Sequence, residues 1–209
     1  MKLKYLLIWL LPVLLSSCAK KSSSELVETT PIKIDPPVEN EKKNVKLFII
    51  GNSFSQNATA YLPNFAAEAK HTLTIGRAEL SSYSLQMHWE GVAANQANSE
   101  NGRVYKGRSL RELLLSNTWD VVTIQQVSTL SGKGNSYDPY LKNLIDYIKT
   151  LQPKAEIMLH ETWAYRSDAT GFTQTNTGSA KTEMEMWQQL RAAYQSYSKL
   201  YNLRIIPVG

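Results

Sequence analysis

The sequence predicts a three-layer α/β fold, with a five-stranded parallel sheet between helices on both of its faces. From Val45 onward, short apolar runs alternate with longer stretches of helical spacing, a pattern typical of parallel sheets covered by helices. The first apolar run is continuous, as in a buried strand. In addition, small polar or aromatic residues follow four of the apolar runs, where an open α/β sheet binds its ligands.

Five short apolar segments are predicted as strands, and each is bounded by polar residues or turn formers. The first, "VKLFIIG", ends at a glycine that is followed by Asn52 and Ser53. The predicted strands cover residues 45–51, 72–80, 119–126, 155–161 and 203–209.

Helices are predicted between the strands, where apolar residues recur every three or four positions. Pro63 is expected in the first turn of its helix, and Asp138 and Pro153 are expected to cap and stop another helix. Residues 81–106 are mostly polar and are predicted as an irregular segment. The predicted helices cover residues 61–70, 109–117, 138–153 and 180–201.

The amino-terminal part differs from the rest in composition. Residues 1–17 contain two lysines, an apolar stretch and small residues, the pattern of a secretory signal. The ending "LSSC" resembles the lipobox of bacterial lipoproteins, which implies cleavage before Cys18, acylation there and anchoring to a membrane of the bacterial cell envelope. A plain signal peptide and a transmembrane anchor are the alternatives. Residues 18–44 are predicted as a flexible tether, and residues 45–209 as the α/β domain.

Charge argues against a nucleic-acid partner. The sequence contains 23 Lys and Arg residues, of which eight precede Leu47, and 18 Asp and Glu residues, of which five precede Leu47. The domain therefore has 15 basic and 13 acidic residues, a net charge of about +2. A nucleic-acid-binding domain is expected to carry a basic face of its own. Cys18 is the one cysteine of the sequence, so an intrachain disulfide is excluded.

The polar residues after the strands form the candidate site. Because the carboxyl ends of parallel strands meet at one edge of the sheet, these side chains are expected to lie near one another. Small polar residues also favour turns, which is the structural alternative. The residues are Asn52, Ser53, Ser55, Ser81, Ser82, Ser84, Gln125, Gln126, Ser128, His160, Glu161, Thr162 and Trp163.

The stretch "FIIGNSFS" resembles the first block of the SGNH or GDSL hydrolases, in which a turn after the first strand presents a nucleophilic serine. With "SLQMHW", "WDVVTIQQVSTLSG" and "HETWAY", the chain is similar over residues 45–209 to SGNH-like envelope proteins of the DUF4886 type. The resemblance implies a flavodoxin-like, three-layer fold of the SGNH hydrolase kind. It also implies a serine esterase.

The same resemblance assigns roles to individual residues. Ser53 would attack an ester carbonyl after a base removes its proton. The oxyanion would be bound by three donors: the Ser53 backbone N–H, a second backbone N–H and a side-chain amide. The second N–H would come from Ser81 or preferably Ser82, where the superfamily commonly has glycine. Gln126 is preferred for that amide over Gln125, and both stand where the superfamily has asparagine. Other residues expected in the pocket are Asn52, His88, Trp89, His160 and Trp163.

The base is the main departure from the superfamily, which places Asp-x-x-His after the fifth strand. This sequence contains no such block, and truncation of the domain is the favoured explanation. His71 is expected at the opposite edge of the sheet and His88 in a loop. His160 is therefore the one histidine considered as a substitute base.

Neither a cofactor nor a metal is expected. "HETWA" begins like the zinc motif His-Glu-x-x-His, but Ala164 replaces the second histidine. Met184, Met186 and Trp187 are at helical spacing and are expected to pack in the core.

Three functions are weighed. The first is a serine esterase that acts on a small-molecule or glycan ester, on its acyl or acetyl group. The second is a glycan-binding envelope lipoprotein of the same fold that is catalytically incomplete. In the third, "GNSFSQNAT" holds a phosphate at a helix start, as in flavodoxin-like proteins, although an envelope location argues against it.

Overall fold

The computed structural model describes residues 43–172 and 180–208. Residues 1–42 lie outside the described residues. They comprise the predicted signal peptide, Cys18 and all but the last two residues of the predicted tether. Five parallel strands form one sheet in the order β2-β1-β3-β4-β5, which confirms the predicted fold class. The strands are β1 Asn44–Gly51, β2 Thr72–Glu79, β3 Val121–Ile124, β4 Glu156–His160 and β5 Arg204–Ile206.

Six α-helices accompany the sheet within the described residues. Pro63 lies in the first turn of its helix, as predicted. The helices are α1 Ser53–Ala58, α2 Leu62–Glu68, α3 Leu85–Ala97, α4 Leu110–Leu114, α5 Tyr140–Leu151 and α6 Glu183–Tyr201.

The strand order creates a switch point between β1 and β3. The chain leaves β1 toward β2 on one side and later returns to β3 on the other side of β1. Connections of this kind leave a crevice outside the carboxyl ends of the two strands, where open α/β sheets bind ligands. We call the line formed by the carboxyl ends of the strands the carboxyl edge.

The core lies between the sheet and helices α3, α4, α5 and α6. Phe48 and Ile50 of β1 are fully buried there, and the Phe48 ring packs on Trp119 with 5.1 Å between the ring centroids. In α5, the buried positions include Leu141, Leu144, Ile145 and Ile148, at the helical spacing seen in the sequence.

Three predictions about the elements are corrected by the structure. Residues 85–97, predicted as part of an irregular segment, form helix α3, which buries only Leu85, His88 and Val92. Its apolar face is narrow, so the sequence carried little hydrophobic periodicity. The Ser84 side chain caps this helix by accepting a hydrogen bond from the Met87 N–H, at 3.2 Å.

Asp138 does not cap α5. Pro139 occupies the cap position without a side-chain hydrogen bond, and the Asp138 carboxylate instead accepts from the Tyr201 hydroxyl at 2.7 Å. The residues after β1 also form a separate short helix, α1, which the sequence analysis did not distinguish. Within the described part of the chain, no helix has the length and hydrophobicity needed to cross a membrane.

Candidate functional site

Ser53 lies at the carboxyl end of β1, as the first residue of α1. The turn is tight because β1 ends at Gly51, and a single residue, Asn52, separates it from the helix. Ser53 is half-buried. Its side chain forms no recorded hydrogen bond within residues 43–172 and 180–208. The hydroxyl therefore lies at the switch point without a hydrogen-bond partner among these residues.

Asn52 fixes this turn by joining three loops. Its side-chain oxygen caps α1 by accepting from the Phe54 N–H at 3.1 Å. Its side-chain nitrogen donates to the carbonyl oxygens of Tyr83, at 3.2 Å, and Gln126, at 3.4 Å. Asn52 is only 1% exposed, so it links the ends of β1, β2 and β3 rather than contacting a ligand.

The Gln126 amide is occupied by protein partners. Its oxygen accepts from the N–H groups of Leu85, at 3.1 Å, and Val127, at 2.8 Å. Its nitrogen donates to the carbonyl and the hydroxyl of Ser136, each at 3.1 Å. Both amide hydrogens are thus used, and none is left for an oxyanion.

The neighbouring Gln125 has the opposite property. It is fully buried, and neither its side-chain nitrogen nor its oxygen has a hydrogen-bond partner among the residues that the structure describes. Buried polar atoms are seldom left without partners, because their desolvation costs about 1–3 kcal/mol. Its Cβ lies 3.4 Å from the point where a Cβ on Gly51 would stand, so Gln125 is directly beside the end of β1.

Ser82 follows the end of β2 and has a left-handed backbone, with φ 59°. This region suits glycine far better than serine, so the structure places a glycine-like conformation where the resemblance expects a glycine. Ser82 is exposed, as is Ser81. The Ser82 backbone therefore lies at the surface of the carboxyl edge.

His88 is part of the scaffold of the turn. One of its ring nitrogens, Nδ1, is 2.6 Å from the Tyr105 hydroxyl, and Nε2 is 3.2 Å from the Gly51 carbonyl oxygen. A neutral imidazole satisfies both contacts by accepting at Nδ1 and donating at Nε2. Burial lowers the pKa of His88 to about 4. Because both nitrogens are engaged, His88 cannot act as the base for Ser53 in this conformation.

His160 lies at the end of β4, on the same edge as Ser53. Burial lowers its pKa to about 4. Strand β3 separates β4 from β1, so two strand spacings, about 10 Å, lie between the ends of their chains. The structure thus brings His160 to the predicted edge but records no hydrogen bond between it and Ser53.

His71 lies at the opposite edge, directly before β2, as expected from the sequence. Its Nδ1 accepts a hydrogen bond from the Lys43 N–H at 3.2 Å. Within the part of the chain that the structure describes, no group of three or more His, Cys, Asp or Glu side chains is arranged to hold a metal ion.

An aromatic cluster borders Ser53. The Phe54 ring packs on Trp163, with centroids 4.2 Å apart, and lies 6.3 Å from the Tyr165 ring. Trp163 thus reaches the candidate site from the loop after β4. Trp89, by contrast, packs edge-on against Tyr147 of α5 at 6.5 Å, so the structure places it against α5, away from this cluster.

The Met184–Trp187 region is only partly in the core. Met186 is 2% exposed, but Met184 and Trp187 are 59% and 40% exposed. With Trp163, these two exposed side chains line a cleft of about 380 Å³. The expectation that all three pack in the core is therefore wrong for Met184 and Trp187.

Sequence reasoning missed a polar cluster behind the turn. The Ser55 hydroxyl is buried and lies 2.5 Å from a carboxylate oxygen of Glu79. The other carboxylate oxygen of Glu79 is 2.8 Å from Arg77, which also donates to the Thr59 hydroxyl at 2.9 Å. Glu79 pairs in register with Gly51. An acidic residue at the end of a predicted strand was the available signal.

The comparisons with known proteins agree with this architecture. A profile of the family described as "Domain of unknown function (DUF4886)" matches residues 46–194. A crystal structure of a DUF4886 family protein from Bacteroides uniformis superposes with a TM-score of 0.66 and 27% identity, over 78% of this chain and 67% of that one. No curated protein is significantly similar to the chain in sequence.

More distant structures share the fold. A protein from Parabacteroides merdae assigned as a GDSL-like lipase has a TM-score of 0.50 and 14% identity, over 82% of this chain and 80% of that one. The periplasmic domain of a lipopolysaccharide acetyltransferase from Salmonella ser. Paratyphi A has a TM-score of 0.51 and 12% identity, over 78% and 66% of the two chains.

Proposed function

Because the chain belongs to the DUF4886 family and has the α/β fold of GDSL-like proteins, we propose that it is an ester hydrolase of the SGNH type. Ser53 attacks the carbonyl carbon of an acyl or acetyl ester. The observation that supports this most directly is the half-buried Ser53 hydroxyl, held by a tight turn at the switch point of the sheet.

The proposed reaction has two steps. The Ser53 oxygen forms a bond to the carbonyl carbon, the alcohol leaves with a proton, and water then hydrolyses the acyl-serine to release the acid. Donors for the oxyanion are the backbone N–H groups of Ser53 and Ser82. We assign the third donor to Gln125 instead of Gln126, since the Gln126 amide is already occupied.

Among the described residues, His160 is the histidine that remains for the role of base. At neutral pH its ring is uncharged, because burial lowers its pKa to about 4, so it has a free lone pair. A base of such low pKa removes a proton weakly, and the ring must approach Ser53 from the end of β4. We therefore expect slow hydrolysis when His160 is the base.

The esterase test compares release of a chromogenic alcohol by the chain, by Ser53→Ala and by Ser116→Ala. Ser116 is exposed and lies before β3, at the opposite edge of the sheet. Loss of the nucleophile is expected to lower the rate to that of the protein-free reaction, whereas Ser116→Ala should leave it unchanged. Equal rates for the chain and Ser53→Ala would exclude Ser53 as the nucleophile.

A second function on the same fold is glycan binding without turnover. Two observations favour it: no base is hydrogen-bonded to Ser53 within the described residues, and the cleft between Trp163 and Trp187 offers exposed aromatic surface. Binding of an acetylated oligosaccharide that is equally tight for the chain and for Ser53→Ala, with no acetate released by either, would support this function over hydrolysis.

For the location, we propose a lipoprotein of the bacterial cell envelope, anchored through a lipid on Cys18. The supporting features are the signal-like residues 1–17 and the lipobox-like ending before Cys18. Labelled palmitate fed to expressing bacteria should enter the protein and should be absent from Cys18→Ala. Equal labelling of both proteins would exclude Cys18 as the lipid attachment site.

A further inference from the structure

A cleft of about 340 Å³ opens at the end of β2, beside α1. Its walls include Gln56 of α1, the Arg77 and Glu79 side chains of β2, and Lys106 and Arg108 from the loop before α4. We call this site the basic cleft. It is separate from the aromatic cluster, which borders Ser53 from the β4 side.

Three cationic side chains and one carboxylate line the basic cleft. Arg77 and Glu79 neutralise each other at 2.8 Å. The Lys106 ammonium group forms no hydrogen bond or ion pair with the residues of the ranges 43–172 and 180–208. Arg108 donates to the backbone oxygen of Glu112 at 3.1 Å. The Glu112 carboxylate pairs with Arg103 at 3.0 Å, and its pKa is lowered by the Ser109 N–H and, to a smaller extent, by the charges of Arg103 and Arg108. Two positive side chains thus face the cleft beyond the neutral pair.

A rigid turn presents these two cations. Tyr105 and Arg108 form an antiparallel bridge, and the residues between them, Lys106 and Gly107, have φ 53° and 77°. This is the geometry of a tight hairpin turn that favours glycine or asparagine, so a lysine in its first position is sterically unfavourable. The Arg103 Nε donates to the Gly107 carbonyl at 2.8 Å and fixes the turn.

The turn is also connected to the candidate site. The Tyr105 hydroxyl contacts His88, and His88 contacts the Gly51 carbonyl directly before the turn that carries Ser53. Gln56 follows Ser53 by three residues on α1, so the two side chains are neighbours on one helix face, about 5–6 Å apart at Cβ. Gln56 is exposed, and its amide forms no recorded hydrogen bond with the described residues.

We propose that the basic cleft binds an anionic group, a phosphate, sulfate or carboxylate, carried by the sugar whose ester Ser53 cleaves. Lys106 and Arg108 supply the charge and Gln56 supplies amide donors, a set suited to such oxygens. When the basic cleft holds the anion, an ester on the same sugar, one ring away from the anion, lies beside Ser53. This inference deepens the proposed function and rests on it.

The first test compares hydrolysis of acetylated glucose with that of acetylated glucose 6-phosphate. In the double variant, Lys106→Gln with Arg108→Gln, the KM for the phosphorylated ester should rise about tenfold, equivalent to about 1.4 kcal/mol. The KM for the neutral ester should not change. Lys199→Gln is the control. Lys199 is exposed on α6, which packs on β5 at the opposite side of the sheet from β2. An equal KM change for both esters would overturn the inference.

A binding measurement separates this inference from the proposed function. Calorimetric titration with glucose 6-phosphate should show binding by the chain, Ser53→Ala and Lys199→Gln, and about tenfold weaker binding by the double variant. Binding that depends on Lys106 and Arg108, without ester hydrolysis, would support the basic cleft as an anion site and contradict the proposed esterase function. Hydrolysis that depends on Ser53, with no such binding, would do the reverse. Glucose 6-sulfate and glucuronate in the same titration identify the preferred anion.

Discussion

Two buried amides organise the loops at the carboxyl edge. Asn52 joins the ends of three strands, and Gln126 connects the start of α3 with the loop that contains Ser136. Each uses its donor and acceptor atoms together, which is how buried side-chain amides avoid a desolvation cost. The turn that holds Ser53 is therefore built on side chains that do not themselves face a substrate.

The buried histidines predict a pH dependence of stability. Burial lowers the pKa of His88 and of His160 to about 4, whereas an unfolded histidine titrates near about 6.5. The unfolded state thus binds protons first as the pH falls. The free energy of unfolding should have its full value above about pH 6.5. It should decrease as the pH falls toward 4, by an amount on the order of 3 kcal/mol for each histidine.

Urea unfolding between pH 7.5 and 4.5 measures this decrease, and His88→Gln is the informative variant. The variant should lose less stability over the interval than the unsubstituted chain, because one of the two histidines no longer titrates. Burial raises the pKa of Glu161, which acts in the opposite direction but is common to both proteins. The same decrease in both proteins would show that His88 is not held neutral by its buried contacts.

At the level of single residues, the sequence indicated the position of Ser53 but not the roles of its neighbours. Ser53 could be predicted because a buried strand, a glycine and a small polar turn are local features. The choice between Gln125 and Gln126 could not, since it depends on which amide meets Leu85 and Ser136 from distant segments. The same holds for His88, which was expected in a loop and lies in α3.

Among the elements, the strands were predicted more accurately than the connections. Each of the five segments predicted as strands contains a strand of the sheet. For β1 and β3, which are mostly buried, burial on both faces leaves a continuous apolar signal. Helix α3 was missed because it buries three residues, one of them His88. Its tertiary contacts stabilise it more than its own hydrophobic pattern would suggest.

The pairing of β1 and β2 gives a prediction at this scale. A Cβ on Gly76 of β2 would stand 2.6 Å from Cδ2 of Phe48 and would also contact the Trp119 ring. Gly76→Ala should therefore force apart a packed aromatic pair and lower the free energy of unfolding by about 1–3 kcal/mol.

Gly134→Ala is the matched control, because among the described residues no atom beyond the local backbone lies within 4 Å of a Cβ built on Gly134. Urea denaturation of both variants beside the unsubstituted chain measures the difference. Equal stability of the two variants would mean that the space beside Phe48 and Trp119 is larger than the structure indicates.

For the molecule as a whole, the parallel sheet could be predicted because alternating apolar and helical segments favour few other folds. The strand order could not be read from the sequence, and it is the order that places the β1 and β3 ends at a switch point. That juxtaposition brings Gln125 beside Gly51, two residues before Ser53, and gives the candidate site its location.

The central claim is that Ser53 is a nucleophile at this switch point. Its most direct test is treatment of the chain with a reactive fluorophosphonate, followed by peptide mapping by mass spectrometry. We predict one phosphonyl adduct, on Ser53, and its absence from Ser53→Ala. An unlabelled Ser53 in a protein that still hydrolyses esters would contradict the claim.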